Sequence, residues 1–178
     1  MAQQTETSKT STPQMRNNDI VEVILEDHKP LKKLISIMKD SEQEFAERKG
    51  AFEEFAPLLI AHAKPEEQTL YTFMKRDEEL REEGFEGDVE HAIADQLVEE
   101  IKRTSDEDLC SARIKVLAEL VEHHIEEEEE DLLPDFRKNS EAADRLELGN
   151  TFLTLKVDYM AADDDNIIPD QKSENLKH

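Results

Sequence analysis

Four histidines, His28, His62, His91 and His124, constrain this chain more than any other feature, because each falls in line with a helical stripe of apolar residues. Ile24, His28, Leu31, Ile35 and Met38 form one stripe, and Phe55, Leu58, His62, Glu66, Leu70 and Phe73 a second. A third holds His91, Ala94, Val98 and Ile101, and a fourth Leu117, Leu120, His124, Glu128 and Leu132. A lone imidazole on such a stripe is ordinarily a core side chain satisfied by a backbone hydrogen bond. Four of them, one per helix, ask for a common explanation.

Spacing supplies a geometric test. In an up-down-up-down bundle with short loops, positions at one height give similar first-to-second and third-to-fourth separations. His62 follows His28 by 34 residues and His124 follows His91 by 33, whereas 29 separate His62 from His91. The four rings are therefore expected to meet in one layer. Two of these helices add a carboxylate four residues on, Glu66 after His62 and Glu128 after His124, on the same helical face. Glu128 lies in a run of five glutamates, 126–130, so only its inward direction selects it; Glu126, Glu127, Glu129 and Glu130 are expected to face water or to bond the outer side of the site.

Composition agrees with helix. The 178 residues, 37% hydrophobic, suffice for one domain with a core, and four glycines, 5% aromatics and no tryptophan disfavour sheet. The fold class is all-α: an up-down-up-down four-helix bundle with an additional C-terminal helix. The domain is expected over 18–161, between flexible tails at 1–17 and 162–178. The first helix should start at Asn18 or Asp19 and run to Lys49, with Gly50 as its stop. The second should span Ala51 to Arg76, and the third should follow a turn at Gly84 to Asp88 and end near Thr104 and Ser105. The fourth should run to about Leu133. A fifth segment, Ser140 to Met160, presents Leu148, Phe152, Leu155 and Tyr159 on one side and reads as a packing helix. Pro30 and Pro65 fall inside the expected helices, where each costs about 3 kcal/mol. They mark kinks, or, for Pro65, a rival helix start that would leave His62 in a loop.

The net charge of -23 disfavours phosphate backbones and anionic lipid as partners. One cysteine, Cys110, excludes an internal disulfide and a thiolate cluster. Met1 to Asn18 lacks the apolar stretch of a secretory signal, and no run of eighteen apolar residues occurs, so a cytoplasmic location is expected. The ferritin-like Glu-x-x-His pair is missing, as are His-Glu-x-x-His and any Ser, Cys and His grouping for nucleophilic catalysis. Imidazole with carboxylate suits iron, manganese or zinc, and two carboxylates among several imidazoles suit a pair of redox-active first-row ions, iron first, better than a closed structural zinc.

The segments DHKPLKKLI, HAKPEEQTLY, the Glu-His pair at His91, and EHHIEEEEEDLLP together resemble the hemerythrin-like HHE cation-binding family. The resemblance implies a four-helix bundle around a non-haem di-iron centre bridged by two carboxylates and an oxygen species. It implies His28 and His62 as ligands of one iron, His91 and His124 of the other, and Glu66 and Glu128 as bridges. One departure stands out: oxygen-carrying members have a further histidine one turn before that of the third helix, and here the residue is Gly87. Water, Glu90 or another carboxylate would have to fill that position, or it stays open. An open position favours reaction with dioxygen, peroxide or nitric oxide, or an iron- or oxygen-responsive module, over transport. A metal-free acidic bundle that binds another protein is the third expectation. Tyr71, five residues after Glu66, reads as a tyrosine at the edge of the core, with a hydrogen bond to the cluster or a radical role as the rival.

Overall fold

Asp19 opens the first helix by accepting the Val21 N–H at 3.0 Å on its carboxylate, and α1 runs Ile20–Lys39. The computed structural model describes residues 18–166. The tail expected over 1–17 lies outside them, as does the part of the second tail beyond 166. The remaining helices are α2 (Phe45–Gln68), α3 (Leu70–Met74), α4 (Arg81–Arg103), α5 (Glu107–Glu127), α6 (Leu133–Asn139) and α7 (Ala142–Asn166), with a π-helical turn at Glu128–Leu132.

Several helix boundaries differ from expectation. The first helix stops at Lys39 instead of Lys49, because the Asp40 N–H turns back to the Ile37 carbonyl and its side chain takes the Glu42 N–H at 2.9 Å. The second then starts at Phe45 and passes through Gly50, which is no stop. The third helix starts at Arg81 and runs through Gly84 and Gly87, so the expected turn is helical. Those glycines serve close approach: a Cβ at Gly84 would lie 3.2 Å from that of Met74 on α3. The second helix also ends early, at Gln68, where Thr69 (φ −114°, ψ −82°) breaks it and bonds the Pro65 carbonyl through its hydroxyl at 2.6 Å. It runs through both Pro57 and Pro65, so His62 is helical and the rival start at Pro65 falls away.

Helix α1 packs on α2, α5 and α7, while α4 packs on α5 and α3. Helix α7 lies over α1 and α2 as a packing helix, with Phe152 fully buried and Leu148 and Leu153 beside it. The stripes face inward as read, with small shifts: Leu58, Phe73, Leu120 and Leu132 are only partly buried, while Leu59 and Leu133 are buried. Two apolar clusters result. One gathers Leu31, Ile35, Met38, Phe55, Leu59, Val98 and Leu117; the other Ile20, Ile24, Leu70, Met74, Leu133, Phe136 and Phe152. Every histidine of the four stripes falls in sequence between a member of one cluster and a member of the other. The polar layer is thereby sealed on both sides.

Side chains fasten the two ends. Buried Arg48 donates to the Met38 carbonyl at 2.8 Å and the Ser111 hydroxyl at 2.7 Å, joining α1, α2 and α5. At the other end Arg145 of α7 meets Asp19 at 2.7 Å. Cys110 is buried, and no helix among the described residues is long and apolar enough to cross a membrane.

Two glycines give opposite expectations. A Cβ at Gly149 would lie 1.8 Å from the Asn18 carbonyl oxygen, so Gly149→Ala must push α7 off the start of α1 and is expected to cost about 1–3 kcal/mol or more. At Gly50 a Cβ meets nothing within 4 Å, and Gly50→Ala should stabilise by about 0.5–1 kcal/mol. Urea unfolding of both variants checks the pair; equal effects would contradict the packing described.

Candidate metal centre

All six predicted side chains, His28, His62, Glu66, His91, His124 and Glu128, converge in the sealed layer, none more than 5% exposed. Their inward atoms form two groups of three, His28, His62 and Glu128, and Glu66, His91 and His124, each with donor atoms within 4.8 Å of one another. The carboxylates link the groups. Glu128 Oε2 lies 3.3 Å from His28 Nε2 and 3.6 Å from His124 Nε2, and Glu66 Oε2 lies 3.3 Å from His62 Nε2 and 3.8 Å from His91 Nε2. His91 Nε2 and His124 Nε2 face each other at 3.1 Å.

The opposite nitrogens face outward, and each has a carboxylate behind it from a neighbouring helix. Asp27 of α1 stands 3.7 Å from His62 Nδ1, and Glu67 of α2 stands 3.4 Å from His91 Nδ1. Glu90 of α4 takes His124 Nδ1 at 2.5 Å, and Glu129, beyond α5, takes His28 Nδ1 at 3.0 Å. The ring closes from α1 to α2 to α4 to α5 and back to α1. The last two distances are hydrogen bonds and the first two are longer approaches. Such partners fix an imidazole's tautomer and turn its other nitrogen toward a metal.

Protein atoms alone leave this layer badly satisfied. His28 Nε2, both His62 nitrogens, both Glu66 oxygens, His91 Nδ1 and Glu128 Oε2 are buried without a hydrogen-bond partner. Each such atom costs about 1–3 kcal/mol, so a cluster this large fits a bound cation and makes little sense as packing. The family's sequence pattern, described as the hemerythrin HHE cation binding domain, matches residues 19–136. The chain belongs to this family. No curated protein and no solved structure matches it.

Electrostatics in the HHE domain follow from burial and mutual approach. Burial, then the nearby charge of Glu128, pushes the Glu66 carboxyl well above the usual range. Burial also pushes the His62 imidazole down to about 4, despite Asp27 behind it. Burial works against ionisation of Glu128 as well, yet His124 and His28 hold it well below the usual carboxylate range. Two carboxylates so close cannot both ionise cheaply without positive charge between them.

Several surroundings of the HHE centre were not legible beforehand. Tyr71 is no edge residue: it is fully buried, and its hydroxyl donates to Glu128 Oε1 at 2.7 Å and lies 3.3 Å from His124 Nε2. Glu90, a candidate for the gap at Gly87, is committed instead to the outer nitrogen of His124. Asp27 and Glu67 were missed, although each neighbours an inward residue in the chain, and that adjacency was the available signal. His123 is exposed and paired with Glu127, off the centre, while His178 lies outside the described residues. Beside Gly87 a cavity of about 200 Å³ reaches Glu128 and His124, bordered by Glu83, Glu86, Glu90, Glu127, Asp131 and Asp135 and by no lysine or arginine.

The carboxylate ring gives a direct expectation. Glu90→Gln and Glu129→Gln should each weaken metal binding about 10–100-fold while leaving helical circular dichroism unchanged. Calorimetric titration with Zn²⁺ measures it, and unaltered affinity in both variants would show the ring to be incidental.

Proposed function

We propose that this HHE domain holds two iron ions and uses them on a small uncharged ligand: dioxygen, hydrogen peroxide or nitric oxide. The observation that carries this reading is the division of six inward donors into two groups of three, with Glu66 and Glu128 each reaching imidazoles of both groups. That arrangement suits two ions bridged by two carboxylates, with His28 and His62 on one and His91 and His124 on the other; manganese or zinc would suit the same donors. The up-down order proposed for the bundle has support in its connections. The five residues 40–44 span at most about 18 Å, far less than the roughly 30 Å of a 20-residue helix such as α1, so with α2 packed on α1 the short connection favours a reversed direction.

Bound iron supplies electrons and open coordination positions for such ligands. The chain's residues do the rest. Two apolar clusters keep water from the layer above and below. Glu90 and Glu129 hold two imidazoles in one orientation. The acidic border of the cavity favours cations and neutral molecules and repels anions, so superoxide and organic acids are poor candidates. The same charge argues against nucleic acid and anionic membranes as partners.

A second reading, an iron- or oxygen-responsive module without turnover, has its own support in the unpartnered buried atoms. Metal loss would leave them uncompensated, so metal binding doubles as folding free energy and a partner can sense the loosened bundle. One set of measurements separates the two. Wild type is expected to bind two irons per chain and to consume hydrogen peroxide, and His62→Ala and Glu66→Ala are expected to lose most of both. Iron-loaded protein that leaves peroxide untouched but gains a large metal-dependent rise in Tm supports the responsive module. Protein that binds no iron contradicts both.

A further inference from the structure

Gly87 stands where a third-helix histidine would sit, and the space over it is already taken. A Cβ at Gly87 would lie 2.4 Å from Tyr71 Cζ and 2.7 Å from its hydroxyl oxygen. No side chain fits there while the phenol is present. The phenol comes from α3, not from α4, and it enters because the chain breaks at Thr69. Along an unbroken helix Tyr71 would point about 140° away from Glu66. The break redirects it across to α4 and α5, where its ring lies 5.3 Å from that of His91.

The hydroxyl ends among metal donors. It lies 3.3 Å from His124 Nε2 and 2.7 Å from Glu128 Oε1, and His124 Nε2 lies 3.1 Å from His91 Nε2. Donors about 2.0–2.2 Å from a common ion and at right angles to each other sit about 3 Å apart. The three separations, 2.7, 3.1 and 3.3 Å, match that spacing. We infer that Tyr71 is itself a ligand, its oxygen taking on the second metal, the one held by His91 and His124, the position that Gly87 leaves. The exchange is reciprocal: glycine on α4 makes room, and tyrosine on α3 brings the donor. Binding forms a metal–oxygen bond and breaks the phenolic O–H bond; the proton passes to Glu128, which the hydroxyl already touches, and from there to water in the cavity that Glu128 lines. This inference rests on the two-metal reading above.

The full chain loaded with ferric iron tests it. Iron is quantified, and visible absorption and resonance Raman spectra are recorded. Wild type should show a phenolate-to-iron charge-transfer band with enhanced tyrosine ring modes. The chain has two tyrosines, so Tyr159→Phe serves as control and should keep the signal, while Tyr71→Phe should lose it and still bind iron. The exchange can also be reversed. Gly87→His alone should disturb the site by collision with the ring, whereas Gly87→His combined with Tyr71→Ala should bind two irons without tyrosine modes. Iron-loaded wild type without these modes, or Tyr71→Phe with unchanged modes, overturns the inference and leaves the metal centre standing; the phenol would then only hydrogen-bond Glu128. A chain that binds no iron overturns both.

Discussion

Burying four imidazoles and two carboxylates in one layer is a cost that packing cannot offset. Side chains deprived of water must find partners, and in this layer their inward atoms find mainly each other: His91 faces His124 nitrogen to nitrogen, and burial together with the charge of Glu128 works against ionisation of Glu66. A pair of nitrogens at that distance is tolerable only when they differ in protonation or share a cation. The outward atoms, in contrast, approach carboxylates all the way round the bundle. Such a division of partners, carboxylates behind the rings and several unpartnered oxygens and nitrogens between them, fits positive charge at the centre.

The departures from regular helix cluster where that centre needs them. Thr69 interrupts the chain three residues after Glu66 and turns Tyr71 inward. The π turn begins at Glu128, where the Leu133 N–H reaches back to the Glu128 carbonyl. One extra residue in that turn carries burial from Leu132 to Leu133, so Glu128 keeps its aim at the buried layer while the following helix still seats Leu133 and Phe136 in the core. Gly87 lies in an ordinary helix, and its lack of a side chain is what matters. Away from the layer the same helices are conventional: capped by Asp19 and Asp106, and joined at their ends by Arg48 and Arg145.

Periodicity made the centre readable in the sequence. A histidine on an apolar stripe reports its own direction, and the spacings of 34 and 33 residues report a shared height, so all six inward residues and the all-helical class could be named from residue order alone. Helix ends were less legible, because glycine carries two meanings. Gly50 and Gly84 suggest a stop and a turn, but one is simply tolerated within a helix and the other lets α4 approach α3; only the packed neighbours distinguish these cases. Asp40, the real break, bonds a backbone N–H two residues on and gives no hydrophobic signal. Tyr71 is hard to place from sequence for a related reason. Its direction depends on the break at Thr69, and helical periodicity carried across that break aims it elsewhere.

The proposed function requires two metal ions between the four imidazoles, with Glu66 and Glu128 each reaching both. Anomalous scattering from crystals of the iron-loaded protein, recorded on both sides of the iron absorption edge, locates such ions without reference to activity. The expected map has two iron peaks per chain, one among His28, His62 and Glu128 and one among Glu66, His91 and His124. A single peak, or iron bound only at the acidic surface, would contradict the account.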